Sequence, residues 1–206
     1  MMVCLIMNKK QSVFTILVLM FLLIVSNILY LYISKRHTTN QAVSVYNEFI
    51  EGRRCNGGES ILSYATPTRE PEKRYATDYC MADSTGDGIP ELHLRTSREY
   101  VIFTYRDKKM EWLHAFFSNP WEYHLLRNGE MIHQVDIGDV EIVGGTHYVI
   151  FSLDHSGGCV SRLSFGWTDI NNNNSLDNDD EYYYGEGDCT MDEWFEQTKE
   201  YIYMNE

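Results

Sequence analysis

Residues 160–185 read VSRLSFGWTDINNNNSLDNDDEYYYG, and the parsing of this stretch decides the fold. VSRLSFGW (160–167) and EYYYG (181–185) carry the aromatic and β-branched residues that favour strands. The segment between them is almost wholly Asn and Asp, so it reads as a loop closing an antiparallel hairpin. The same grammar recurs toward the amino terminus. YCMAD (79–83) and ELHLR (91–95) flank an acidic turn, and EYVIFTYR (99–106) and MEWLHAFF (110–117) flank Asp107-Lys108-Lys109. YHLLR (123–127) and MIHQV (131–135) flank Asn128-Gly129, a hairpin dipeptide whose two central residues are expected at positive φ. DVEIV (139–143) and HYVIFSL (147–153) flank Gly144-Gly145.

Helices are expected at both ends of this strand series. AVSVYNEFI (42–50) has helical apolar spacing, with Thr39 or Asn40 as a cap and Gly52 as a stop. Residues 53–75 are polar and read as loop. A last helix runs from about Met191 to Tyr203 behind the capping box Thr190-x-x-Glu193. The fold class is therefore mainly β. It is an antiparallel meander, a curled or barrel-like sheet with a helix at each end, preceded by one transmembrane helix.

That helix is VFTILVLMFLLIVSNILYLYI (13–33), which no charged residue interrupts. As an α-helix it would be about 31 Å long, enough to cross the hydrocarbon core. The expected organisation is a cytoplasmic residue 1–12 segment, a signal anchor over 13–34, a short linker over 35–39 and an extracellular domain over 40–206. Cleavage of the segment, giving a secreted protein, is the alternative. Flanking charge does not choose an orientation, because Lys9 and Lys10 are matched by Lys35 and Arg36.

The charge balance narrows the partners. The 206-residue chain has a net charge of −13, and beyond residue 37 it carries 13 basic against 30 acidic side chains. Such a surface repels phosphate backbones, which excludes nucleic acid as a partner and suits cations or a basic protein.

Two acidic loops carry the chemistry. In the first, 83–91, Asp83, Thr85, Asp87 and Glu91 fall at positions 1, 3, 5 and 9 of a calcium-type loop, and Gly88 supplies the turn. Position 12 is Leu94, so the closing carboxylate of an EF-hand is missing. In the second, Asp169, Asn171, Asn173, Ser175, Asp177 and Asp180 occupy positions 1, 3, 5, 7, 9 and 12. Each offers oxygen of the kind calcium takes there, a main-chain carbonyl at position 7. Leu176 is expected to anchor this loop to the core.

The stretch TDYCMADSTGDGIPELHLR (77–95) resembles the Y-x-x-x-D-x-D-G-D-G-x-P-E-L segment of uncharacterised secreted or membrane-anchored bacterial proteins. The tail YYYGEGDCTMDEWFEQTKEYI is similar to the strand and charged helix that close many of them. The loop is also similar to those of FG-GAP and VCBS propeller repeats, without their repetition. The resemblance implies an extracellular, calcium-binding domain and no particular activity.

Four cysteines follow the apolar segment, an even number that favours two disulfides in an oxidising compartment. If Trp167 faces Glu181, the hairpin register places Cys159 opposite Cys189, leaving Cys55 to Cys80. Catalytic patterns are weak. Asp154-His155-Ser156 has the letters of a serine triad, but neighbours on one strand point apart. His93, His114, His124, His133 and His147 lie on separate strands, and Glu111, Glu122 and Glu141 would need the fold to pair them. The expected function is a non-enzymatic, membrane-anchored domain with structural calcium that binds an extracellular protein or carbohydrate. A small hydrolase with a site assembled from separate strands is the rival, which a Ser/His contact or a buried carboxylate pair would favour.

Overall fold

The computed structural model describes residues 9–53, 78–96, 99–117, 119–136, 144–171, 173 and 175–202, with side chains from residue 14 onward. Cys55, the 53–75 loop beyond Arg53, the expected strand 139–143 with Glu141, and Asn172 and Asn174 lie outside them. The chain divides after residue 41 into two units.

The first unit holds most of helix α1, Lys9–Ile50. Its apolar side chains from Phe14 to Ile33 are exposed. By length and composition it can cross a membrane, as an anchor or as a signal segment. Ser26 Oγ and Asn27 Nδ2 both donate to the Leu23 carbonyl, at 2.9 and 2.8 Å, so the two polar groups are satisfied within the helix itself. The helix also continues through residues 35–40. Neither Thr39 nor Asn40 caps a separate helix, and 35–39 is not an irregular linker.

The second unit opens with the last turns of α1. Gly52, at φ 72°, ends it: Gly52 N donates to Phe49 O at 3.0 Å and Arg53 N to Glu48 O at 2.8 Å. Both bonds together make a Schellman motif. Two antiparallel sheets follow. The first contains β1 (Asp78–Ala82), β2 (Glu91–Arg95), β3 (Tyr100–Arg106) and β4 (Lys109–Phe116). The second contains β5 (Tyr123–Leu125), β6 (Met131–Asp136), β7 (Gly144–Leu153), β8 (Cys159–Asp169), β9 (Glu181–Tyr184) and β10 (Gly187–Cys189). In both sheets every strand lies beside its neighbour in the chain. The sheets stay open and do not close into a barrel. Helix α2 (Met191–Ile202) ends the unit, and its capping box is formed, Thr190 N donating to Glu193 Oε2 at 2.9 Å.

Strand alternation explains the layering. Leu92, Leu94, Val101 and Phe103 point from the first sheet onto Ala42, Val45, Tyr46 and Phe49 of α1. From its other face Tyr100 and Ile102 meet Tyr123, Met131 and Phe151 of the second sheet. The far side of that sheet, with Ile132, Ile150, Phe165 and Tyr182, packs on Trp194 of α2. The order is helix, sheet, sheet, helix.

Two glycine turns of the second sheet rest directly on main-chain oxygens of the β1–β2 loop and of β4. A Cβ on Gly129 (φ 86°) would collide with the carbonyl of Asp83, and one on Gly157 (φ 87°) with that of Leu113. Only a residue without a side chain allows either approach.

Three local expectations change. The hairpin turn with two positive φ angles is Asp107-Lys108, at 49° and 63°. At Asn128-Gly129 only Gly129 is left-handed, and Gly129 N donates to Leu126 O at 3.0 Å while Leu126 N donates to Glu130 O at 2.8 Å. Such a turn needs positive φ at its last residue alone. Gly144 and Gly145 belong to β7, opposite Asp169 and Thr168, instead of forming a turn. The β8–β9 register pairs Trp167 with Tyr182 and Phe165 with Tyr184, one residue from the expected alignment.

Candidate functional site

The register shift removes the geometric ground for a Cys159–Cys189 bridge. Cys159 starts β8 opposite Leu153, whereas Cys189 sits on β10 opposite Tyr182. Gly185 (φ 66°) turns the chain between β9 and β10, so β9 is too short to reach Cys159. Cys80, Cys159 and Cys189 carry free thiols, and burial raises the pKa of all three. Cys159 Sγ lies 3.8 Å from His114 Nε2.

The 169–180 loop joins β8 to β9, closed by the pair Thr168 and Glu181. Its oxygen-bearing side chains are braced by the loop's own amides. Asn173 N donates to Asp169 Oδ1 and to Asn171 Oδ1, both at 3.1 Å. Ser175 N donates to Asn173 Oδ1 at 2.7 Å. Asp180 reaches back across the loop to accept Ile170 N at 3.2 Å and Asp177 N at 3.0 Å. Asp177 accepts from the side chains of Asn173 and Asn171 and from Asp179 N; these bonds, Asn173 first, lower its pKa. Asp169 is fully buried and Asp180 nearly so. Position 8 does not behave as expected: Leu176 is 40% exposed and belongs to none of the core clusters. The tether is Tyr182, whose hydroxyl donates to Asp177 O at 2.8 Å.

The donor set is hard oxygen throughout: three carboxylates and two amide side chains, with the Ser175 carbonyl at position 7. This chemistry fits calcium. Among the described residues, no three His, Cys, Asp or Glu side chains gather tightly enough to hold an ion alone. An ion here therefore depends on Asn171, Asn173 and the main chain as well as on the carboxylates.

The 83–91 loop, between β1 and β2, is organised differently. Glu91 is fully buried and turns back into the loop. Its Oε2 accepts Ser84 N at 2.7 Å, Ser84 Oγ at 3.1 Å and Thr85 N at 3.3 Å, while Oε1 accepts Thr85 Oγ1 at 3.2 Å. Burial raises its pKa, and the bonds from Ser84 work against that rise. Asp87 faces solvent and accepts Ile89 N at 2.7 Å. Asp83 Oδ1 is buried without a hydrogen-bond partner.

A hydrogen-bonded chain leaves this loop. Ser84 commits its proton to Glu91, so its oxygen accepts from His93 Nε2 at 3.2 Å. His93 Nδ1 is then left to accept from the Tyr100 hydroxyl at 3.2 Å. Burial lowers the His93 pKa to about 4, so the ring is neutral at physiological pH. Burial likewise raises that of Tyr100, which stays protonated. The sequence did carry a signal for this cluster. Glu91, His93 and Arg95 alternate with Leu92 and Leu94 and so share one strand face. What alternation does not reveal is that the polar face is buried too.

The chain ends at a cavity of about 240 Å³ lined by Asp78, Cys80, His93, Arg95, Tyr100 and His124. A Ser/His contact is thus present, but it runs in the wrong sense for catalysis. Ser84 is 4% exposed and donates to a carboxylate, so the imidazole cannot take its proton for attack on a substrate. Asp154, His155 and Ser156 form a plain turn, in which Asp154 Oδ1 accepts Ser156 N and Gly158 N, both at 2.8 Å. Elsewhere His133 stacks on Tyr123, with its Nε2 3.5 Å from Glu122 Oε2, and His147 Nδ1 contacts the Tyr183 hydroxyl. Glu111 pairs in register with Thr104 on β4.

Compared with protein-family models, with curated proteins and with solved structures, the chain matches none of them.

Proposed function

We propose that this chain is a membrane-tethered, calcium-stabilised binding module. Residues 13–33 hold it in the membrane, residues 40–206 face the outside of the cell, and a calcium ion fixes the 169–180 connection. The observation that carries the reading is the convergence of Asp169, Asn171, Asn173, Asp177 and Asp180 in one braced twelve-residue loop. Burying Asp169 and Asp180 costs solvation energy, and a bound cation offsets that cost. The acidic surface draws cations toward it. The exterior of a cell supplies calcium at the concentrations that weak loops of this kind need. The task of the module is binding at the cell surface, with an extracellular protein or carbohydrate as ligand.

Calcium titration of the full chain in detergent, by calorimetry and thermal melting, tests this. Binding to the folded state alone stabilises by about 2.7 kcal/mol when calcium is 100-fold above its dissociation constant. An identical melting temperature in calcium and in chelator would refute the ion. Protease treatment of intact cells, and sequencing of the mature amino terminus, test the orientation and the retention of the anchor.

A further inference from the structure

We propose that the cavity lined by Asp78, Arg95, Tyr100 and His124 is a binding site for a small zwitterion, an α-amino acid whose carboxylate meets Arg95 and whose ammonium meets Asp78 and the Tyr100 oxygen. The inference is independent of the calcium loop, which lies on the second sheet between β8 and β9.

Arg95 is held in place by groups other than a counter-ion. Its Nη2 donates to the Tyr123 carbonyl at 2.6 Å, and its guanidinium lies over the rings of Trp121 and Tyr100, 5.3 and 5.6 Å from their centroids. Its side chain is only 18% exposed, yet among the described residues its acidic neighbour, Asp78, stands off at 3.7 Å from Nη1. Nε has no acceptor at all. A guanidinium offers five donors in a fixed fork, so this one is pre-positioned and under-used. An oxyanion at Nη1 would take up the donors that face Asp78.

The remaining lining selects among oxyanions. His124 has its pKa lowered, by burial first and by Arg95 second, and His93 is neutral, so among the described lining residues Arg95 is the cation. Tyr100 gives its proton to His93, which leaves its oxygen lone pairs as acceptors toward the cavity. Asp78, the register partner of Arg95, is a second acceptor and is 74% exposed at the rim. One fixed cation beside two acceptors is the complement of a carboxylate and an ammonium on the same carbon. The charge of the domain agrees: a surface with 30 acidic side chains repels a bare anion and leaves a zwitterion unopposed.

Isothermal titration of the full chain in detergent with L-alanine and L-leucine tests the site, with acetate and methylammonium as half-ligands. Saturable binding of an amino acid, at least tenfold tighter than either half-ligand, is expected. Asp78→Asn, at an exposed position that tolerates change, should weaken it about tenfold, and Arg95→Lys should weaken it further. Asp107→Asn, in the remote β3–β4 turn, should have no effect. Absence of heat with both amino acids, in protein shown folded by circular dichroism, would overturn the proposal. So would acetate binding as tightly as alanine and equally well to the Asp78→Asn variant.

Discussion

The two acidic loops look alike as strings of Asp, Asn and Gly, yet they are closed in different ways. The 83–91 loop is satisfied by its own donors: Glu91 is buried and takes four hydrogen bonds from Ser84 and Thr85. The 169–180 loop spends its amide hydrogens on holding oxygens in place and gathers three carboxylates with two amides. The difference comes from which residue closes each loop. A long Glu at position 9 folds back far enough to act as an internal acceptor. Asp177 and Asp180 also accept loop donors, but they do so beside Asp169, Asn171 and Asn173, so several oxygen-bearing side chains share one loop. One loop is a cross-brace, and we propose the other as a receptacle for an ion.

Breaking the brace should have the largest effect. Glu91→Ala strands the amides and hydroxyls of Ser84 and Thr85 beneath the fold, and a loss of about 4 kcal/mol in chemical denaturation is expected, whether or not calcium is present. Glu91→Gln, which keeps one acceptor oxygen, should cost less than half of that.

The brace also makes stability depend on pH through His93. A histidine with a pKa of about 4 in the fold and 6.5 as its ordinary value binds fewer protons when folded. Its contribution is complete above pH 6.5 and drains away as pH falls toward 4, by up to about 3 kcal/mol. Glu91 has the opposite sign. Its pKa is raised, so its contribution is present at low pH and is lost as pH rises through the folded value. Between pH 4 and 7 the two act against each other, and His93→Gln should remove the component of the denaturation midpoint that rises with pH. A slope unchanged by His93→Gln would separate the histidine from the acid response.

Emptying the proposed receptacle should matter most when calcium is there. Asp169→Ala with Asp177→Ala is expected to abolish the calcium-induced shift of about 2.7 kcal/mol. Asp87→Ala, in the brace loop, should leave the shift in place. Loss of the shift in Asp87→Ala instead would reverse the roles assigned to the two loops.

The smallest effect concerns how each loop is seated. Gly129→Ala puts a methyl group into the Asp83 carbonyl and should cost about 2 kcal/mol. Gly185→Ala, also at positive φ but with open space around it, should cost about 1 kcal/mol. Equal losses in urea melts would show that backbone conformation, and not the contact between sheets, governs both.

Much of this was legible in the sequence, and the misses share a cause. Strand alternation and turn residues located nine of the strands outside 139–143, because those signals are local. The capping box of α2 and the Gly52 stop are local too, and both form. The register of β8 against β9 was not legible. A shift of one residue exchanges the face of every side chain, and it is fixed by packing of Phe165 and Tyr182 against Trp194. Gly144-Gly145 looked like a turn, but the long β8 offers it partners as far as Asp169. The short strand β10 depends on the turn at Gly185 and carries no apolar pattern of its own. For the candidate site, spacing singled out Asp169, Asn171, Asn173, Asp177 and Asp180, which hydrogen bonds join in one loop. The Glu91–Ser84–His93–Tyr100 chain needed two strands and a loop brought together.

The strand order has a consequence for the way the molecule is made. Each of the described strands in either sheet pairs with the strand just before or just after it. Loops closed between such partners are short, so their entropic penalty is small and pairing is fast. A polypeptide synthesised amino end first therefore presents every new strand to an edge that has already been made. The first sheet can be complete while the second is still being delivered, with no need to wait for the far end of the chain.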